Sequence, residues 1–570
     1  MHPFLAPTLF MILAVSHACL SPHDPIVAIK NGTLVGVHSL AYEQESFLGI
    51  PYASKPLGAL RFNKPRPHQG WEGVRAAKQY GPHCMGGSLG LLGFDTTVPY
   101  PQDEDCLTIN VVRPVLNDKT SKLPVLVWIH GGGFKDGGSG DQRYNMSYLA
   151  QTSVEMGMPT IMVSFNYRLT GWGFLSGTLV QEHGLANLGL QDQRMALQWI
   201  QDNIRDFGGD PTKVTIQGES AGGSSVGYHL LAYGGRDDGL FNGAIAQSRG
   251  PSLLIPMTSV DQQQSRYEAI VAAANCSSNL DSLGCLRSAP SELLNDIFNK
   301  FGWNPVVDGE LIPYTNSRML NDGAFVKVPL LAGANTNEGT VMVPGLSKID
   351  ANSTEDFYNV VRNTNFGVSI SNETLRRLDK LYTDAESTAS DSGLGTVLPN
   401  PGYPYGTQYA KMSLYLGDYL FTAPRRITTQ AWAAQGVASY SYRFGVTPAG
   451  LSPEIIGATH FQEVAFVFRN VDGQGYEVNP FAVTPLRKRR QYERLSQLMS
   501  RMWLSFANTG SPNHHGVSWC ETEWRPYSIE EPENMVFQTG SGCARERDNY
   551  RTEIMDILEG IGAKERSSIS

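Results

Sequence analysis

The sequence predicts an α/β fold, a large mostly parallel central sheet covered by helices on both faces, and three observations predict it. Short apolar runs recur along the chain: PVLVWIH from Pro124, TIMVSFNYRL from Thr160, VTIQ from Val214, GAIAQS from Gly243, VPLLAGA from Val328 and ASYSYRF from Ala438. Helix-like segments such as LGLQDQRMALQWIQDNI lie between them. Strands that are apolar throughout belong to sheets buried on both faces, and intervening helices supply the cover. Third, no repeat of fixed period, no Gly/Ser linker and no sharp change of composition marks an interior boundary. A chain of 570 residues has the length of three to four domains or one large one. The uniform composition favours a leader over residues 1–18 and a single domain over 19–570, with long insertions chiefly from about 340 to 430.

Composition excludes several classes. Hydrophobic residues are 41% and charged residues 17%, with 59 Gly and 33 Pro spread along the chain, which is a folded rather than a disordered profile. The net charge is -9 and the basic cluster Arg487-Lys488-Arg489-Arg490 is short, so no nucleic-acid partner is expected. That cluster reads as a solvated helix face.

The leader MHPFLAPTLFMILAVSHACL carries an apolar stretch of signal-peptide length, with Ser16 and Ala18 at minus three and minus one to a cut. Pro7 interrupts the run, and no later segment reaches 18 uninterrupted apolar residues, so a secreted protein without a stable membrane anchor is expected. Setting Cys19 aside leaves Cys84, Cys106, Cys276, Cys285, Cys520 and Cys543. An even number in an exported chain suggests disulfides, and sequential pairing, one of fifteen arrangements, closes the shortest loops. No cysteine pair has C-x-x-C spacing, so no metal is indicated. Sequons at Asn31, Asn145, Asn275, Asn352 and Asn372 agree with an exported glycoprotein.

The chemistry centres on a serine. G-x-S-x-G occurs around Ser88, Ser220 and Ser225, so context must choose between them. A nucleophile elbow needs a strand running into the first Gly and a helix leaving after the Ser, because that sharp turn lifts the hydroxyl above the sheet. Only Ser220 has both, in VTIQ-GESAGG-SSVGYHLLA. Oxyanion donors must be backbone N–H groups already in place. The run His130-Gly131-Gly132-Gly133-Phe134 follows the strand VLVWI and supplies Gly132 and Gly133, with Ala221 as the third donor. Chain order Ser, acid, His leaves His229, His460, His514 and His515 as candidate bases. His229 lies in the helix that leaves Ser220, and His514 and His515 lie in the polar turn NTGSPNHHG, where hydration is expected. His460, in GATHFQEVAFVF, is the base, and Glu338, after the strand in VPLLAGANTNEGT, is the orienting acid.

These residues carry a resemblance. GESAGG, EDCLTIN from Glu104, FLGIPYASKPLGALRF, HGGGF, NYRLTGWGF, NLGLQDQRMALQWIQDNI and FGGDP match in order the type-B carboxylesterase/lipase family, which includes cholinesterases and fungal lipases. The resemblance implies an α/β-hydrolase fold, the triad Ser220, Glu338 and His460, and a serine carboxylic ester hydrolase that needs no cofactor. It also implies the pairs Cys84–Cys106 and Cys276–Cys285, covers Cys520–Cys543 less clearly, and suggests ion pairs Arg61–Glu104 and Arg168–Asp192. By the same resemblance Glu219 and Glu463 stand near the imidazole, where they would favour its charged form. The flap between Cys84 and Cys106 is shorter than the lids of the lipases it resembles, which favours small to medium, modestly hydrophobic esters. It holds no Trp for a quaternary ammonium, which disfavours choline esters. Phe301 and Trp303, before PVVDG, are candidates for an acyl pocket or for core packing. An interfacially activated triacylglycerol lipase and a non-catalytic adhesion or carrier protein are the alternative readings.

Overall fold

Eleven strands make the central sheet of the computed structural model, which describes residues 24–94, 98–116, 120–255, 257–258, 260–345, 351–365, 368–387, 398–540 and 542–566. The expected leader with Ser16, Ala18 and Cys19 lies outside the described residues. In chain order the strands are β1 (Val37–Ser39), β2 (Gln44–Pro51), β3 (Thr108–Pro114), β4 (Leu123–Ile129), β5 (Ile161–Phe165), β6 (Gly209–Glu219), β7 (Gly243–Gln247), β8 (Leu330–Asn335), β9 (Ser439–Phe444), β10 (Glu533–Gln538) and β11 (Gly542–Arg547). Across the sheet they run β11-β10-β9-β8-β7-β6-β4-β5-β3-β2-β1. All pairings from β10 to β5 are parallel. Those beyond, at both flanks, are antiparallel.

The six apolar runs of the sequence are β4 to β9, the parallel centre. Two of the antiparallel flank strands escaped that reading for a physical reason. β11 reads GCARER and β2 is only partly buried, so neither displays the continuous apolar run of a strand covered on both faces.

Alternation along β4 shows how the layers form. Val125, Val127 and Ile129 pack into one core together with Leu197 and Ile200 of helix α1 (Leu188–Asn203). Leu126 and Trp128 enter a second core with Leu498 and Met502 of a long helix near the C-terminus. Successive side chains of a strand face opposite ways, so one strand anchors both helical layers. Each of these buried side chains contributes roughly 1.5–3 kcal/mol. Between the two helices in sequence come α2 (Ala221–Gly235) and α3 (Ala423–Ala434), then the long helix itself, α4 (Leu486–Thr509), and α5 (Thr552–Arg566).

α4 begins exposed and ends buried. Arg487, Arg489 and Arg490 face solvent as expected, with Arg489 on Glu493 one turn on, whereas Leu495, Met499, Met502 and Phe506 are buried. Gly510, at φ 73°, ends the helix by donating its N–H to Phe506, a conformation that glycine adopts without a Cβ clash. The long insertion builds a third core, in which Val361, Leu378, Tyr382 and Tyr415 pack with Ile554 and Leu558 of α5.

All three sequential disulfides, Cys84–Cys106, Cys276–Cys285 and Cys520–Cys543, are formed. The pairs Arg61–Glu104 and Arg168–Asp192 are also present, at 2.6 and 2.7 Å. Among the described residues no helix is long and apolar enough to cross a membrane.

Candidate active site

β6 is fully buried from Val214 to its last residue, Glu219, and the chain turns at once into α2. Ser220 makes that turn at φ 57°, ψ -120°, a backbone region that costs a non-glycine residue about 1–3 kcal/mol. Small neighbours and two hydrogen bonds hold it there. A Cβ on Gly218 would stand 2.4 Å from Gly222, and one on Gly222 would stand 2.1 Å from the Ile129 carbonyl. The Ser220 N–H donates to the Gln247 carbonyl at 3.0 Å, and the Ser220 carbonyl accepts from Ser224 N–H at 2.8 Å. The other two G-x-S-x-G serines are placed differently. Ser225 lies inside α2 and donates its hydroxyl to the Ala221 carbonyl. Ser88 is exposed in the flap.

Three segments converge on the Ser220 hydroxyl. His460 Nε2 lies 2.8 Å from Ser220 Oγ, and His460 Nδ1 lies 2.7 Å from Glu338 Oε2. Glu338 comes from the turn after β8, and its second oxygen accepts from Asn335 N–H and from the Ser248 hydroxyl, both at 2.6 Å. The carboxylate is thereby fixed through both oxygens. The loop bearing His460 is tied to β8 by Asn335 Nδ2, which donates to the Thr459 carbonyl at 2.7 Å. Phe421 packs on the imidazole with ring centres 4.8 Å apart. The competing histidines are committed elsewhere. His229 is buried against Gln193. His515, expected in a hydrated turn, is instead buried, and burial pulls its pKa down, while His514 is exposed.

The glycine loop after β4 lies against the elbow. A Cβ on Gly131 would stand 2.7 Å from the Glu219 carbonyl and 3.2 Å from Ser220 Cβ. Gly132 (φ 96°) and Gly133 (φ 61°) occupy left-handed backbone, and a Cβ on Gly132 would collide with the Asp136 carbonyl at 2.1 Å. Among the described residues the N–H groups of Gly132, Gly133 and Ala221 meet no protein acceptor. His130 is pinned behind the loop by stacking on Tyr167, whose hydroxyl donates to the His130 carbonyl. Burial lowers the His130 pKa to about 3, so it stands neutral.

Two buried acids border the triad. Glu463 accepts from Gln247 Nε2 at 3.0 Å and from Asn335 Nδ2 at 2.7 Å. Burial, and then the Glu338 charge, raise its pKa to about 7. Glu219 is raised well above the ordinary carboxyl range by burial, with Glu463 and Glu338 pushing the same way. Glu219 thus stands beside the imidazole as expected, and its burial favours the protonated carboxyl.

Phe301 and Trp303 are not brought to this cluster. Trp303 is buried, donating its indole N–H to the Phe298 carbonyl, and Phe301 is edge-on beside it. Both belong to the packing around Phe298, Trp172 and Phe62, so core packing accounts for them. The sequence reading missed Ser248, Asn335, Gln247 and Phe421. The only available signal was that polar residues end the two apolar strands β7 and β8.

The model of the carboxylesterase family matches residues 23–557. The chain belongs to that family. A lipase of Diutina rugosa (Lipase 2) is 32% identical, over 94% of this chain and 96% of its own. The acetylcholinesterase of Electrophorus electricus is 32% identical, over 94% and 88%. Among solved structures, Aspergillus niger EstA superposes with a TM-score of 0.79 at 28% identity, covering 95% of this chain and 99% of its own. Family membership and this neighbour establish the α/β-hydrolase fold and carboxylic ester hydrolysis as the reaction class.

Proposed function

We propose that the protein is a secreted serine carboxylic ester hydrolase with Ser220 as nucleophile, His460 as base and Glu338 as orienting acid. The observation that carries the reading is the unbroken chain of contacts from the Ser220 hydroxyl through the imidazole to the carboxylate, at 2.8 and 2.7 Å. His460 takes the hydroxyl proton as Ser220 attacks the ester carbonyl, then gives it to the departing alcohol. Water, activated by the same imidazole, releases the acyl group. Glu338 fixes the tautomer and stabilises the imidazolium, while Gly132, Gly133 and Ala221 N–H groups receive the oxyanion. Their freedom from protein acceptors supports that role.

Secretion is supported by the leader of residues 1–18 and by three disulfides, which persist in oxidising compartments. A relative at 32% identity is named Secreted lipase 1, from Botryotinia fuckeliana. Residues 19–570 act as one domain in this reading. Sugar is expected at Asn275, Asn352 and Asn372, which are exposed, before Asn31 and Asn145, which are partly buried and whose amides are already hydrogen-bonded.

The short flap favours small to medium, modestly hydrophobic esters. A second reading, an interfacially activated triacylglycerol lipase, has specific support in Leu92, which is exposed on the flap. One experiment tests the site and separates the two readings. A fluorophosphonate labels the purified chain one to one at Ser220, and an ester panel of increasing acyl length is then followed across each substrate's solubility limit. A smooth profile is the esterase outcome and a rate jump at the limit is the lipase outcome. Absence of labelling overturns both.

A further inference from the structure

Arg249 stands out among the cations near the site. It follows Ser248, whose hydroxyl holds Glu338, and so leaves the C-terminal end of β7 next to Ser220. Its backbone is fixed against α2: a Cβ on Gly223 would meet the Arg249 carbonyl at 3.2 Å, and one on Gly227 would meet Gly250 at 2.5 Å. The guanidinium lies over the Phe421 ring at 5.2 Å, and the His460 imidazole packs on the same ring at 4.8 Å. Cation and imidazole thus share one aromatic neighbour.

This cation is not spent on the fold. Arg143, Arg168 and Arg425 each hold a carboxylate at 2.6 or 2.7 Å. Among the described residues Arg249 makes no ion pair and no side-chain hydrogen bond, and its nitrogens are not among the fully buried unpartnered atoms. The residue is partly buried, and its nitrogens keep some solvent access beside Phe421. The acids nearest in charge are Glu338 and Glu219. Glu338 already serves His460, Asn335 and Ser248, and burial favours the protonated form of Glu219. A partly desolvated guanidinium with a free face is a receptor for a planar anion, which it grips through two parallel N–H donors.

We propose that Arg249 is a specificity-determining residue that receives a carboxylate carried by the ester substrate beside the bond that Ser220 attacks. The proposal rests on the ester hydrolase reading and adds a substrate class to it: esters that keep one free carboxylate, such as half-esters of dicarboxylic acids. The rival role is compensation of the acid cluster of Glu219, Glu338 and Glu463, which would affect charged and neutral esters alike.

Two matched pairs of substrates separate these roles in the full chain. One pair places the charge on the acyl side, p-nitrophenyl hydrogen adipate against p-nitrophenyl hexanoate. The other places it on the alcohol side, m-carboxyphenyl hexanoate against phenyl hexanoate. Fluorophosphonate titration sets the active concentration of each variant, so a misfolded fraction cancels. In Arg249→Gln the ratio of kcat/KM, charged over neutral, is expected to fall about tenfold to a hundredfold in one pair, chiefly through KM, the effect of losing a charge-assisted contact. Arg249→Lys keeps part of the preference. A ratio unchanged in both pairs overturns the proposal while leaving the esterase reading intact. Failure of the wild-type chain to react with the fluorophosphonate or with any of the four esters overturns both.

Discussion

Glu219 Oε1 lies 3.3 Å from Nε2 of His460, the nitrogen that faces Ser220, yet neither oxygen of Glu219 receives a hydrogen bond among the described residues. The approach has ion-pair distance without hydrogen-bond geometry. A fully buried carboxyl in this state destabilises the fold whenever it must ionise.

That relationship gives a signed prediction. An unfolded glutamate titrates near 4.5, and in the fold Glu219 releases its proton only well above that value. Between those limits the folded state binds more protons than the unfolded state, so stability falls as pH rises. Glu219→Gln removes the titration without removing a hydrogen bond. Its Tm relative to the parent is expected to rise as pH increases above the unfolded value of 4.5. A Tm difference that stays constant above that value refutes the assignment.

Removing the nucleophile has the largest effect on turnover. Ser220→Ala is expected to lower kcat up to about a million-fold, with His460→Gln comparable and Glu338→Gln less severe by one to two orders of magnitude. Hydrolysis of p-nitrophenyl butyrate by each folded variant measures this. Near-parental turnover in Ser220→Ala means that another hydroxyl does the chemistry.

The oxyanion loop is tested at its most crowded glycine. Gly132→Ala sets a methyl group against the Asp136 carbonyl and forces the loop to shift. The expected loss in kcat is about 10²–10³, the cost of one misplaced oxyanion donor, with KM little changed. Equal kcat in the variant removes Gly132 from the donor set.

Away from the site, Asp548 is the stability hinge of the C-terminal region. It is buried and accepts from Arg425 at 2.7 Å, Arg426 at 2.9 Å and the Tyr527 hydroxyl at 2.9 Å. Burial alone would raise its pKa, but the two guanidinium charges outweigh burial and hold it well below the ordinary carboxylate range. Asp548→Asn leaves two buried cations uncompensated and is expected to cost about 3–5 kcal/mol in denaturant unfolding. The parent should lose this contribution only as pH falls below the unfolded value of 3.8.

The centre of the fold and the proposed triad were legible because each has a local signature. Ser220 sits in a strand–turn–helix pattern that neither Ser88 nor Ser225 shares, and β4 to β9 are buried strands with short apolar runs separated by helices. His460 followed by elimination, although one ground for it failed, since His515, set aside as hydrated, is buried. Residues that act only through contact across the sheet had no such signature. Ser248 and Asn335 reach the same Glu338 oxygen from different strands, and nothing in the order of residues says that β7 lies beside β8. Phe301 and Trp303 show the converse limit, since an aromatic pair before a conspicuous turn reads the same whether it lines a pocket or fills a core.

The separation of the three reacting groups along the chain bears on how the enzyme is made. Ser220 and His460 are 240 residues apart, with Glu338 between them. Chains emerge N-terminus first, but one domain folds as a unit, so the elbow, the glycine loop and the base come together only after the chain has passed residue 460. A polypeptide halted short of residue 460 lacks the proposed base and is expected to show no ester hydrolysis.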